Sequence, residues 1–371
     1  MFVSPNRRLC QILGFLAFLL FLAGCSAGVA ASDDAVGEPT SPTTSSSTST
    51  TTTTTSTTTT TTVPSLAPPL ETDGVPRVAR TSTDVVVPVL SETNGGYLVR
   101  TPCQNTAIVL DAEVDDRVHV VLDPGHGGSS EPGAVSFDGI TEAEVNFEVA
   151  LQTEALLAEQ GFDVTLTRYS DVRVPLATRV EIADRLEASL LVSIHHQGTD
   201  PLPTSDQPGT EVFYQQTSNE SRRFAGILVE ESRAELGVFN IDWFTGPDAG
   251  AVIRPNAETG LDFYGMIRLP ETTAVLAEMA FLGNEAEVAL LRSGELQTAE
   301  AIAISNAIIR WFTTDDPGSG FVEPSFGLRS SGGGGGTGGC VDPDLGETLD
   351  LASELSDSLG LGEDSEDEAE G

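Results

Sequence analysis

Residues 118–123 read VHVVLD and run directly into Pro124-Gly125. A short β-branched run that stops at a Pro-Gly loop is the pattern of a buried strand. Downstream the period changes. Residues 144–160 place Val145, Val149, Leu156 and Leu157 near helical spacing, Gly161 ends that helix, and 162–167 (FDVTLT) return as a strand. A helix over 176–188 leads into 189–194 (SLLVSI), another apolar strand; 211–214 predict a further strand, 221–236 a helix, 274–279 (AVLAEM) a strand and 295–312 the last helix. Strands separated by helices of this length predict an α/β fold, a twisted and mostly parallel sheet covered by helices on both faces. In such sheets ligands bind at the carboxyl ends of the strands.

The polar residues expected at those ends are few. Of four His in the chain, His126, His195 and His196 follow predicted strands directly, while His119 lies inside one and is expected to pack or face the surface. His126 sits in DPGHGG, where Gly125, Gly127 and Gly128 allow a tight turn and a close approach of backbone to ligand. This loop has no Lys and Ser/Thr of a phosphate-binding loop, so a nucleotide site is disfavoured. Glu142 opens the first helix, and Glu278 closes the apolar run AVLAEM, where an acid is costly to bury without a partner. Two imidazoles and two carboxylates converging at strand ends suggest a metal. Two His and one Glu with an open fourth position is a common catalytic zinc arrangement, and a second Glu can serve as base for hydrolysis. Taken singly, each residue also has an ordinary reading: a strand-end His is often structural and a Glu at a helix start is often a cap.

In their order the motifs are specific. VVLDPGHGG at 120–128, EAEVNFEVA at 142–150, SIH at 193–195 and AVLAEMAFLGN at 274–284 resemble the zinc-dependent N-acetylmuramoyl-L-alanine amidases of bacterial cell-wall metabolism, over about 118–312. The resemblance implies a single catalytic domain over 118–313 with a sheet of about six strands. It further implies one Zn2+ held by His126, Glu142 and His195, Glu278 as the catalytic glutamate, and hydrolysis of the amide between N-acetylmuramic acid and L-alanine in peptidoglycan. Departures touch the rim. The loop GHGGSSEPGA carries one extra residue and has Glu131 where the family usually has Asp; Ala143 replaces a common Lys, and His196-Gln197 stands where a small residue and Asn are common. His196 is a competing ligand, although adjacent strand residues point to opposite faces. The segment 238–267, with Trp243, Phe244, Arg254 and Tyr264, either lines the groove or is a surface loop. Two other functions stay open: a zinc peptidase cutting within the stem peptide, and a non-catalytic wall-binding regulatory lipoprotein.

Outward from this core the chain changes character. Arg7 and Arg8 precede an apolar run over 9–21 that is too short to span a bilayer, and Leu22-Ala23-Gly24-Cys25 closes it. This resembles a bacterial lipoprotein signal over 1–24, implying lipidation of Cys25 and anchoring of an exported protein at the outer face of the cytoplasmic membrane. From Thr40 to Thr62 there are 22 Thr or Ser residues and only Pro42 besides. Residues 25–80 are therefore expected to form a disordered tether, at most roughly 180 Å long at 3.3 Å per residue, followed by a short N-terminal extension over 81–117. Residues 314–371 read as a Gly-rich and acidic low-complexity tail, with an apolar spacing at 345–359 that could make one weak helix. Of the remaining cysteines, Cys10 leaves with the signal, and Cys103 and Cys340 are an even pair in an exported chain, expected to form a disulfide. The whole chain holds 56 Asp and Glu against 18 Lys+Arg, for a net charge of −38. A phosphate backbone needs a basic face, so nucleic acid is excluded as a partner.

Overall fold

The computed structural model describes residues 65–198, 209–241, 243, 249–327 and 336–349. The signal segment, Cys25, the Thr-rich stretch and the acidic end of the tail lie outside the described residues. The first strands are β1 (Val78–Thr81), β2 (Val86–Thr93), β3 (Gly96–Arg100), β4 (Thr106–Val109) and β5 (Ala112–Asp115). The chain continues with β6 (Val120–Pro124), α1 (Glu142–Glu159), β7 (Val164–Leu166), α2 (Leu176–Arg185), β8 (Leu190–Gln197), β9 (Glu211–Tyr214) and α3 (Asn219–Leu236). Then come β10 (Gly250–Val252), α4 (Gly265–Arg268), β11 (Ala274–Phe281), α5 (Glu285–Ser293), α6 (Glu295–Thr313) and β12 (Thr348–Leu349). Together they form a mixed α/β domain with two six-stranded sheets.

The larger sheet has the order β10-β9-β11-β8-β6-β7. Strands β7, β6, β8 and β11 are parallel; β9 is antiparallel to β11, and β10 runs with β9. Alternate residues of these strands enter different cores. Val120, Leu122, Val192, Ile194 and Ala277 pack with Val145 and Val149 of α1, Ile227 of α3 and Ile304 of α6. Val121, Leu191, Phe213 and Leu276 pack with Ile182 of α2, Met266 of α4 and Val78 and Val86 of the smaller sheet. Because both residue sets are buried, the strands read as continuous apolar runs instead of alternating ones.

The smaller sheet corrects the expectation for 81–117. Its order is β12-β4-β3-β2-β1-β5 and every pairing in it is antiparallel. Val85, Val87, Val89, Val99 and Val109 form its core with Ala79 and Leu345. Asn94-Gly95, with Gly95 at φ 106°, makes the β2–β3 turn, a hairpin signal present in the sequence. The C-terminal segment also departs from a free tail: β12 pairs with β4, Asp342 accepts from the Cys103 N–H at 2.7 Å, and a disulfide joins Cys103 to Cys340. Short β-strands far apart in sequence carry too little periodic signal to be paired by pattern alone. The sheet is bonded to α2, with Arg100 ion-paired to Glu181 at 2.9 Å and Gln104 donating to Thr178 at 2.8 Å. Ordered chain begins earlier than the tether boundary at 80. Leu66 N–H donates to the Gln160 carbonyl at 2.9 Å, and His119 Nε2 donates to the Pro68 carbonyl at 2.8 Å. His119 is therefore a buried packing residue, its Nδ1 accepting from the Asp163 N–H.

Candidate metal centre

Strand β6 delivers Asp123, Pro124 and the loop behind them to the carboxyl edge of the sheet. His126 follows with φ 61°, a left-handed conformation that costs a non-glycine residue free energy unless its surroundings impose it. They do so through two buried arginines. Arg179 of α2 donates to the carbonyls of Pro124 at 2.8 Å and His126 at 2.6 Å, and ion-pairs with the fully buried Asp123 at 2.6 Å. Burial works to raise the Asp123 pKa, but Arg179 and the hydroxyls of Ser193 and Thr167 outweigh it and hold the group ionised. Arg168 donates to the carbonyls of Pro124 and Gly125.

The helix that follows is started by Thr141, whose side chain and that of Glu144 form a capping box. Glu144 thus does the capping, and Glu142, buried in the first turn, is free to face the loop. Its Oε1 lies 3.2 Å from His126 Nε2 and 2.9 Å from His195 Nδ1, while Oε2 accepts from the Ala134 N–H at 2.8 Å. Ligand atoms of His126, Glu142 and His195 all lie within 4.8 Å of one another, which makes this a group fit to hold a metal ion. Burial presses the Glu142 pKa upward, and the hydrogen bonds from His126 and His195 overcome it, leaving the carboxylate well below its usual range. His195 is pushed down by burial, so its imidazole is disposed to be neutral, as a ligand must be. Gly125 is required here: a Cβ at this position would lie 2.3 Å from the His195 ring.

In the sheet register Glu278 stands beside His195 on one side and Glu211 on the other. Residues in register on neighbouring strands share a face, so Glu278 borders the two-His, one-Glu cluster. Its Oε2 is buried with no hydrogen-bond partner among the described residues. Burial first, then the charges of Glu142 and Glu211, push its pKa well up, while Arg254 opposes them. Glu211, Arg168 and Arg179 were not singled out by sequence. The signal for Glu211 was an acid at the start of a predicted strand, and for the arginines only their positions after and before apolar runs.

The remaining sequence candidates separate. His196 is fully buried on the opposite face, with Nδ1 2.7 Å from Asn146 Oδ1 and Nε2 3.1 Å from Glu300 Oε2. It is not among the cluster's ligands, as strand alternation requires. Trp243 is a core residue whose Nε1 donates to the Leu236 carbonyl at 2.7 Å. Arg254 donates to the Tyr264 hydroxyl at 3.1 Å, and Phe244 lies outside the described residues. Glu131 ion-pairs with Arg173 at 2.9 Å.

A protein-family model described as N-acetylmuramoyl-L-alanine amidase matches residues 120–310. The chain belongs to the N-acetylmuramoyl-L-alanine amidase family. Its members are hydrolases, and the match covers the whole site-bearing sheet. Among curated relatives, the amidase AmiC of Neisseria meningitidis is 29% identical over 53% of this chain and 53% of its own length. The amidase AmiA of Salmonella typhimurium is 30% identical over 52% of this chain and 75% of its own. The chain thus spans about half the length of the first relative. Among solved structures, the amidase AmiC2 of Nostoc punctiforme is 26% identical, with 54% of this chain and 99% of that one covered, at a TM-score of 0.45. The strands of the smaller sheet lie outside the matched residues, β1 to β5 before them and β12 after them. No helix of the described residues is long and apolar enough to cross a membrane.

Proposed function

We propose that this chain hydrolyses the amide bond between N-acetylmuramic acid and L-alanine in peptidoglycan, using one zinc ion held by His126, Glu142 and His195 and Glu278 as general base. The observation that carries this reading is the convergence of two imidazoles and one carboxylate beside an unpartnered buried Glu278 oxygen. The donor set fits zinc, which takes nitrogen and carboxylate ligands and in catalytic sites keeps one position open. When bound, zinc would polarise the scissile carbonyl and lower the pKa of water at the open position. Glu278 takes a proton from the attacking water as its oxygen bonds to the lactyl carbonyl carbon. It then gives that proton to the alanine nitrogen as the C–N bond breaks, leaving a carboxylate on the sugar and a free amine on the stem peptide. Glu278 suits both steps because it stands on a rigid strand in register with His195. Digestion of purified peptidoglycan with identification of the new ends by mass tests the reading: free alanine amino termini are expected, and cuts within the stem peptide would replace it by a peptidase.

The same proposal places the protein outside the cytoplasmic membrane, anchored through a lipid on Cys25. The support is the sequence Leu22-Ala23-Gly24-Cys25 behind a short apolar run. The protein is expected in the membrane fraction and the Cys25→Ser variant out of it; equal solubility of both would make the signal an ordinary secretory one.

A further inference from the structure

The three ligand side chains come from three separate segments: the loop after β6, the first turn of α1, and the end of β8. Something other than chain connectivity has to hold them in register. Two buried polar residues do this, and both converge on the Gly125 carbonyl. Asn146, one turn beyond Glu142 and fully buried, donates from Nδ2 to Gly125 O at 3.1 Å, while its Oδ1 faces His196 Nδ1 at 2.7 Å. An amide oxygen only accepts, so His196 Nδ1 is the donor in this contact. Asn146 therefore joins α1 to the His126 loop and to the strand that bears His195. Arg168, 1% exposed, donates from Nη2 to Gly125 O at 3.2 Å and to Ala143 O at 2.8 Å, and from Nε to Pro124 O at 3.0 Å. It joins the same loop to the residue next to Glu142.

A buried guanidinium bonded to carbonyls is costly to desolvate, and the cost is not recovered by a close carboxylate partner. We infer that Arg168 and Asn146 are positioning residues that assemble the three zinc ligands before the metal arrives. This rests on the zinc reading above. Hydrogen-bonding partners outside the ligands typically account for 10- to 100-fold in metal affinity.

The test uses the full chain and two readouts, zinc affinity by chelator competition and unfolding temperature of the metal-free protein. Variants are Asn146→Ala, Arg168→Lys and, as control, Thr153→Val, which removes a buried hydroxyl in α1 bonded to its own helix at Val149 O. Asn146→Ala and Arg168→Lys are expected to weaken zinc binding 10- to 100-fold, and Thr153→Val by less than twofold even where it lowers the unfolding temperature as much. If Arg168→Lys does not fold, Asn146→Ala decides. Unchanged zinc affinity in Asn146→Ala, or equal weakening in Thr153→Val, would overturn the inference. A wild-type chain that takes up no zinc would instead remove the zinc reading on which it rests.

Discussion

The sheet that carries the site and the sheet that precedes it are held together by different means. In the first, alternate residues of each strand enter two apolar cores, and buried arginines and an asparagine fix the loops at its edge. In the second, seven buried residues make the core, Val78 and Val86 together with an ion pair and hydrogen bonds dock it on α2, and a disulfide ties the C-terminal segment to it. A large core supports its own buried charges and can spend stability on geometry. A small one depends on cross-links and on a neighbour, as expected where few apolar residues are available.

That contrast can be broken at several points. Replacing His126 or His195 by Ala removes a ligand from the first sheet, so zinc content should fall toward none and hydrolysis with it, while hydrogen exchange in β1–β5 should stay as it was. Metal analysis that finds zinc retained in both variants would move the site elsewhere. Next in size is Glu278→Gln, which keeps shape but cannot accept a proton: zinc should remain and turnover should fall about 10²- to 10⁴-fold. Near wild-type turnover with zinc bound would remove Glu278 from the base role.

The second sheet answers to a different perturbation. The Cys103→Ser variant loses the cross-link between residues 237 apart, which in the chain-entropy model contributes up to about 5 kcal/mol. Faster exchange in β1–β5 and β12 is expected with zinc affinity unchanged; loss of zinc on reduction would mean that the two sheets are not independent. The smallest effect comes from Glu287, buried in the first sheet's core and pushed up to about 8 by burial against the opposing backbone bonds of Phe281 and Gly209. Its folded pKa lies above its unfolded one, so its relative contribution is fully present below about pH 4 and is lost as pH rises toward 8. The unfolding temperature should therefore decline over that range, and Glu287→Gln should flatten the decline. Identical slopes in thermal melts of the two proteins would refute the assignment.

How far the sequence could be read follows from the same division. Strands β6, β8 and β11 announce themselves as apolar runs, and His126, His195 and Glu278 stand just after or near the carboxyl ends of those runs, so position alone singled them out as candidates. Glu142 was placed at a helix start, but only the structure shows that Glu144 takes the cap and leaves Glu142 to the loop. The register that sets Glu211 beside Glu278 depends on β9 running against β11, and no local pattern encodes strand direction. Arg168 and Arg179 look like solvated charges in a sequence because nothing in their neighbourhood reveals that their donors meet carbonyls of another segment. The second sheet was missed for a related reason: β12 is two residues long and finds its partner more than 200 positions upstream.

The docking of Ser65 and Leu66 against Gln160 has a mechanical consequence. Helix α1 begins at the metal cluster and is 18 residues long, so its far end lies about 27 Å from the ligands. The leader strap joins the catalytic unit at that far pole. From Cys25 to Ser65 the covalent chain can extend at most about 140 Å. Any pull on the chain upstream of Ser65 therefore meets the described domain at the end of α1 remote from His126 and Glu142.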